Sequence, residues 1–153
     1  MKKSRNAFTM MELIFVIVIL GILAAVAIPK LAATRKDADN VKIAQNIMTG
    51  ASEIASYAMS QAATESNLSK MSNAIAWMEE SGEASIDTNN KRAIIACGSV
   101  SDCVTIEIKS GIRDENLTLA FGNSGNDGPC SGLQAVIDER KYPMKLRGSG
   151  VKY

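Results

Sequence analysis

The sequence predicts an α+β protein in which one long N-terminal helix packs on a small antiparallel sheet. Three observations carry that expectation. Leu13–Ile28 (LIFVIVILGILAAVAI) holds no charged or strongly polar residue. Beyond Pro29 the apolar residues recur at alternating three- and four-residue spacing, which is one face of a helix. Past residue 92 short segments alternate apolar with other residues, the two-residue period of a half-buried strand.

The apolar run comes first and sets the compartment. Counted from Phe8 to Ile28 it has 21 residues, and as a helix it spans about 32 Å, the thickness of a bilayer core. Lys2, Lys3 and Arg5 precede it, and a basic leader holds the N-terminus of such a segment in the cytoplasm. Without those three the chain carries 14 basic against 16 acidic residues. Glu12 stands four residues into the run, and a carboxylate in a membrane segment costs a few kcal/mol and marks a function.

The helix is expected to continue without a loop. Lys30–Ala63 has no proline and one glycine, Gly50, and Pro29 bends a helix without having to end it. Val41, Ala44, Met48, Ala51, Ala55, Ala58 and Ala62 form the stripe, widened by Ile43, Ile47 and Ile54. Phe8 to about Ala63 therefore reads as one helix. Asn67–Ser69 offer caps for a second, with Met71, Ile75 and Met78 on its inner face. Gly82–Arg92 reads as polar turn. Strands are expected at Ala93–Cys97, Cys103–Ile108 and Leu117–Phe121, and a loop at Gly122–Gly128. Pro129 opens a short helix reaching Arg140, with Leu133, Val136 and Ile137 inward. Tyr142–Tyr153 reads as an extended tail.

Composition narrows the function. The chain has 153 residues, a formal net charge of +1, 5% aromatic residues and no histidine. That length suits one domain with its own core. Balanced charge argues against binding nucleic acid, which needs clustered Lys and Arg. The missing histidine removes the commonest general base and metal ligand. No Ser-His, Cys-His, phosphate loop or paired catalytic carboxylate is present, so no catalytic residue, cofactor or metal centre is expected, and the chain does not read as an enzyme.

Ala7-Phe8-Thr9-Met10-Met11-Glu12-Leu13 resembles the N-terminus of type IV prepilins and of the related pseudopilins of type II secretion. That family has a basic leader, a small residue, Phe-Thr, a glutamate three residues on, and then the long apolar helix. Gly21 and Pro29 fall where family members often carry helix-weakening residues. The likeness covers residues 1–35 closely and the rest as architecture. One departure is that the family usually has Gly before the cut, where this chain has Ala7. A plain secretory signal is the competing reading, and Ala25-Val26-Ala27 supplies an A-x-A cleavage match for it. It explains neither Glu12 nor the helical pattern that follows.

The resemblance implies a pilin-like fold with a leader at 1–7, a transmembrane and assembly half of the helix at 8–29, and a globular domain at 30–153. It implies cleavage between Ala7 and Phe8 by prepilin peptidase and N-methylation of Phe8. Glu12, Gly21 and Pro29 become assembly residues, with Glu12 meeting the Phe8 amine of a neighbouring subunit. The implied partners are further copies or related pilins in a filament, membrane lipid before assembly, and the inner-membrane assembly platform. The implied location is the bacterial inner membrane, then a periplasmic pseudopilus or a surface pilus. The alternative from another class is an extracytoplasmic binding domain or enzyme that the N-terminus only tethers.

Cys97, Cys103 and Cys130 lie in the part expected outside the cytoplasm, where disulfides persist. A hairpin that sets Cys97 opposite Cys103 would place Ala96 against Val104 and Ile94 against Ile106, keeping one face apolar. The family's habit of tying its C-terminal segment to the sheet would recruit Cys130 instead, and the sequence leaves both pairings open. Asn123, Ser124, Asn126 and Asp127 are weak calcium candidates, as in loops of some major pseudopilins, but they lack the carboxylate density of an EF-hand. On composition a solvated turn accounts for them better.

Overall fold

The computed structural model describes residues 8–111 and 114–147. It has three α-helices, α1 (Met10–Gln61), α2 (Asn73–Glu80) and α3 (Gly128–Val136), and five strands. The strands are β1 (Ala84–Asp87), β2 (Arg92–Cys97), β3 (Val100–Ser110), β4 (Glu115–Phe121) and β5 (Met144–Arg147). They form one antiparallel sheet in sequence order, β1-β2-β3-β4-β5. The chain divides into two compact units at Lys36/Asp37.

In the first unit every described side chain from Phe8 to Lys36 is exposed. Helix α1 runs through Pro29 without ending, and its N-terminal part is long and apolar enough to cross a membrane. Helix propensity alone does not hold such a surface in water; lipid is the solvent that matches it.

In the second unit the C-terminal part of α1 covers the sheet in a pilin-like α+β arrangement. Ile43, Ala44, Ile47, Ala51, Ile54, Ala55 and Ala58 are buried together with Ile95, Val104, Ile106, Leu117 and Leu146. Each large aliphatic side chain removed from water there contributes about 1.5–3 kcal/mol. Three members expected on the stripe leave it: Val41 is 54% exposed, Met48 is half-buried and Ala62 is exposed. At 100° per residue Val41 and Met48 sit on the flank of the face centred on Ile47, Ile54 and Ala58. Ala62 lies past the end of α1, with φ 51°. Gly50 lets α2 approach: a Cβ there would stand 2.8 Å from Ile75 Cδ1.

The second helical segment forms as expected but in two pieces. A 3-10 turn, Leu68–Lys70, is capped by Asn67, and α2 follows with Ser72 as its cap. Met71, Ile75 and Met78 are all buried. Ser72 Oγ accepts from the Ile75 N–H at 3.0 Å and donates to Glu53 Oε2 at 2.6 Å, which ties the cap to α1.

Strands β2, β3 and β4 fall on the three alternating segments, with Val104↔Phe121, Ile106↔Leu119 and Ile108↔Leu117 as partners. Two strands were not expected. β1 lies within the supposed polar turn, because only Ala84 and Ile86 point inward and two residues make no visible period. β5 lies in the supposed tail, where Leu146 alone is buried. Helix α3 ends at Val136 rather than Arg140, and Val136 is 45% exposed, not inward. The inner face is set by Cys130, Leu133 and the extended Ile137, and Val136 lies about 90° away from it.

Candidate functional site

The first turn of a helix leaves four N–H groups without intrahelical partners, and in an apolar surrounding that want is not met by water. Thr9 and Glu12 answer it reciprocally. The Thr9 N–H donates to Glu12 Oε2 at 2.8 Å, and the Glu12 N–H donates to Thr9 Oγ1 at 3.2 Å. The Thr9 hydroxyl also donates to Glu12 Oε2 at 2.8 Å. This is a capping box, with Thr9 at the N-cap and Glu12 at the third helical position. This capping role of Thr9 is one that the reading of the sequence missed, although Thr-x-x-Glu ahead of an apolar run is the box's signature.

Glu12 is therefore more than a carboxylate near a helix dipole. It shares a shallow depression with Phe8, Met11, Phe15 and Val16, so its charge is ringed by apolar side chains. Phe8 lies one residue before the cap, 77% exposed; Ala7, on the other side of the expected cut, lies outside the described residues. Gly21 is fully open, since a Cβ there would meet nothing within 4 Å. Pro29 sits inside α1.

The cysteines are grouped at one end of the sheet. Cys103 of β3 is bonded to Cys130 of α3, with Cα atoms 5.7 Å apart, and Cys97 keeps a buried free thiol. The hairpin register that favoured Cys97–Cys103 is not formed. Cys97 pairs with Val100, Ile95 with Val104 and Ala93 with Ile106. Gly98, with φ 62°, and Ser99 close the hairpin in two residues. Relative to the expected register, that tight turn and the bulge after Ile95 shift the partners of Ala93–Ile95 by one place and the partner of Cys97 by three.

Two polar residues absent from the sequence reading hold this end together. Asn40 of α1 is buried and accepts from the Cys97 thiol at 3.4 Å. The Gln134 amide donates to the carbonyls of Cys103 (2.9 Å) and Gly122 (3.0 Å). Burial, then the charges of Asp127 and Glu83, push the Cys97 thiol above its ordinary value. It is a poor nucleophile at neutral pH.

Of the calcium candidates, Asp127 serves as the cap of α3. Its carboxylate accepts from the Cys130 N–H at 2.8 Å and from the Ser99 N–H and hydroxyl at 2.9 and 2.5 Å. Asn123 Oδ1 accepts from the Gly125 N–H at 2.9 Å in the turn before it. The structure thus uses these oxygens as a turn and a helix cap.

No curated protein and no solved structure matches the chain. Residues 2–28 match the family described as the prokaryotic N-terminal methylation motif. The segment that contains the Thr9–Glu12 box is, accordingly, the cleavage and methylation motif of type IV pilin and pseudopilin precursors.

Proposed function

We propose that this chain is a structural subunit of a type IV pilus or type II secretion pseudopilus. The observation that carries the reading is the methylation motif at residues 2–28, leading into a helix whose apolar surface is exposed on every side. Prepilin peptidase cuts between Ala7 and Phe8 and the Phe8 amine is methylated. The subunit waits in the inner membrane with its N-terminus toward the cytoplasm and its globular domain outside. The assembly platform then moves it into a filament, where neighbouring copies replace lipid around residues 8–29. Gly21 and Pro29 are the places where that segment loosens as it packs, since Pro29 supplies no N–H and crowds the carbonyl four residues back.

In this reading Glu12 meets the Phe8 amine of a neighbour. Either group alone is costly in an apolar bundle, and removing one member of such a pair costs about 3–5 kcal/mol. The capping box makes a discriminating test available, because Gln retains the box and loses the charge. Glu12→Gln and Glu12→Leu are expected to remain in the membrane, correctly processed, while the filament-to-membrane ratio of subunit falls at least tenfold. A Glu12→Gln chain that assembles like wild type would show that Glu12 acts as a cap alone. Intact mass of the native protein tests the processing: the expected mature chain starts at a methylated Phe8. Replacing residues 1–29 by an unrelated anchor separates a filament subunit from a merely tethered domain, which would keep its activity.

A further inference from the structure

The two oxygens of Glu12 are not equivalent. Oε2 takes both bonds from Thr9, at 2.8 Å each, while Oε1 accepts none from the described residues. A glutamate on an exposed helix surface ordinarily samples many rotamers, and fixing it on binding carries an entropy cost. Here Thr9 fixes it beforehand, with both of its polar groups on one oxygen. The side chains around the carboxylate, Phe8, Met11, Phe15 and Val16, are apolar, so a second copy that covers them lowers the local dielectric and strengthens the bond that the other oxygen makes.

We infer that Thr9 is a positioning residue for assembly, holding the Glu12 carboxylate by Oε2 so that Oε1 receives the ammonium group of a second copy of the chain. The inference rests on the filament reading above and adds a residue to it. The gain is preorganisation: the incoming cation meets a carboxylate already oriented, so less freedom is lost when the contact forms. Because the Thr9 hydroxyl and N–H act on one oxygen, the box and the contact between subunits coexist and do not compete.

The hydroxyl is the part that substitution can remove. Thr9→Val keeps the shape and the backbone N–H but loses the hydroxyl, whereas Thr9→Ser keeps all three bonds. In the native host, the ratio of filament to membrane subunit is measured for both, in the wild-type chain and in the Glu12→Gln chain. Expected are an about fivefold lower ratio for Thr9→Val, the size of a lost cap, and a ratio within twofold of wild type for Thr9→Ser. In the Glu12→Gln background Thr9→Val should add no further loss, because the charge it positions is gone. A generic helix-start role for the hydroxyl would give the full fivefold loss in both backgrounds. That result overturns the inference, as does a Thr9→Val chain that assembles like wild type. If the wild-type chain itself enters no filament, the filament reading falls and takes the inference with it.

Discussion

Residues 10–36 and residues 43–58 belong to the same helix, yet every described side chain of the first stretch is exposed and the second buries a single face. Ile19 is 42% exposed; Ile47 is fully buried. The two differ in arrangement as well as in apolar content. In the first stretch apolar residues occupy every angle around the axis, a surface suited to lipid or to many neighbouring helices. In the second they hold one stripe, with Gln45, Ser52 and Ser56 facing water. A helix thus declares its solvent by how its apolar residues are distributed around the axis as well as by how many there are.

Reducing agent should separate the two stretches most strongly. The Cys103–Cys130 bond closes a 27-residue separation, worth about 3.5 kcal/mol in the chain-entropy account. Replacing both cysteines by Ala is expected to lower the stability of the globular domain by about that much in a denaturant titration. Membrane retention through residues 10–36 should not change. Matched truncations come next. Ile47→Ala should destabilise the domain by about 3 kcal/mol, as buried aliphatic truncations do. Ile19→Ala should leave its unfolding midpoint where it was. Equal effects from the two would break the distinction between the halves.

The stripe and the three inner strands were legible because each buries many residues at a regular spacing. β1 and β5 were not, since a four-residue edge strand with one or two inward side chains has no period to detect. The hairpin register failed for a different reason. Cys97 and Cys103 invited pairing, but the Gly98-Ser99 turn sets Cys97 opposite Val100 instead. Asn40 and Gln134 are single polar residues whose partners come from other elements, and only the folded chain brings these together. Thr9 was legible in principle: its spacing to Glu12 carried two messages, a processing motif and a helix cap, and the first hid the second.

Smaller perturbations sharpen the account of the buried face. Ser72→Ala removes the cap of α2 and its bond to Glu53, and should cost about 1 kcal/mol by thermal unfolding. Acid should act more gently still. Bonds from the Ser72 hydroxyl and then the Ala74 N–H hold the Glu53 carboxyl below its ordinary value. Burial pushes Glu115 up, but bonds from Thr64 and Ser110 and the Lys91 charge outweigh it and leave that carboxyl lowered too. A lowered carboxyl stabilises the fold fully above the unfolded value and loses that contribution as pH falls through the folded one. Stability is therefore expected to hold at neutral pH and decline below about pH 4.3. In denaturant titrations across pH, Glu53→Gln with Glu115→Gln should flatten that acid limb.

With Cys103 and Cys130 joined, the Cys97 thiol is the single alkylatable sulfhydryl in the chain, and it is enclosed where α1, through Asn40, meets β2. A thiol reagent can reach it only when those elements part. Its labelling rate therefore clocks how often the domain opens at that seam, on the same footing as amide exchange. Comparing the rate in membrane-held subunits with that in purified filaments would tell whether polymerisation quiets the domain's own breathing or leaves it untouched.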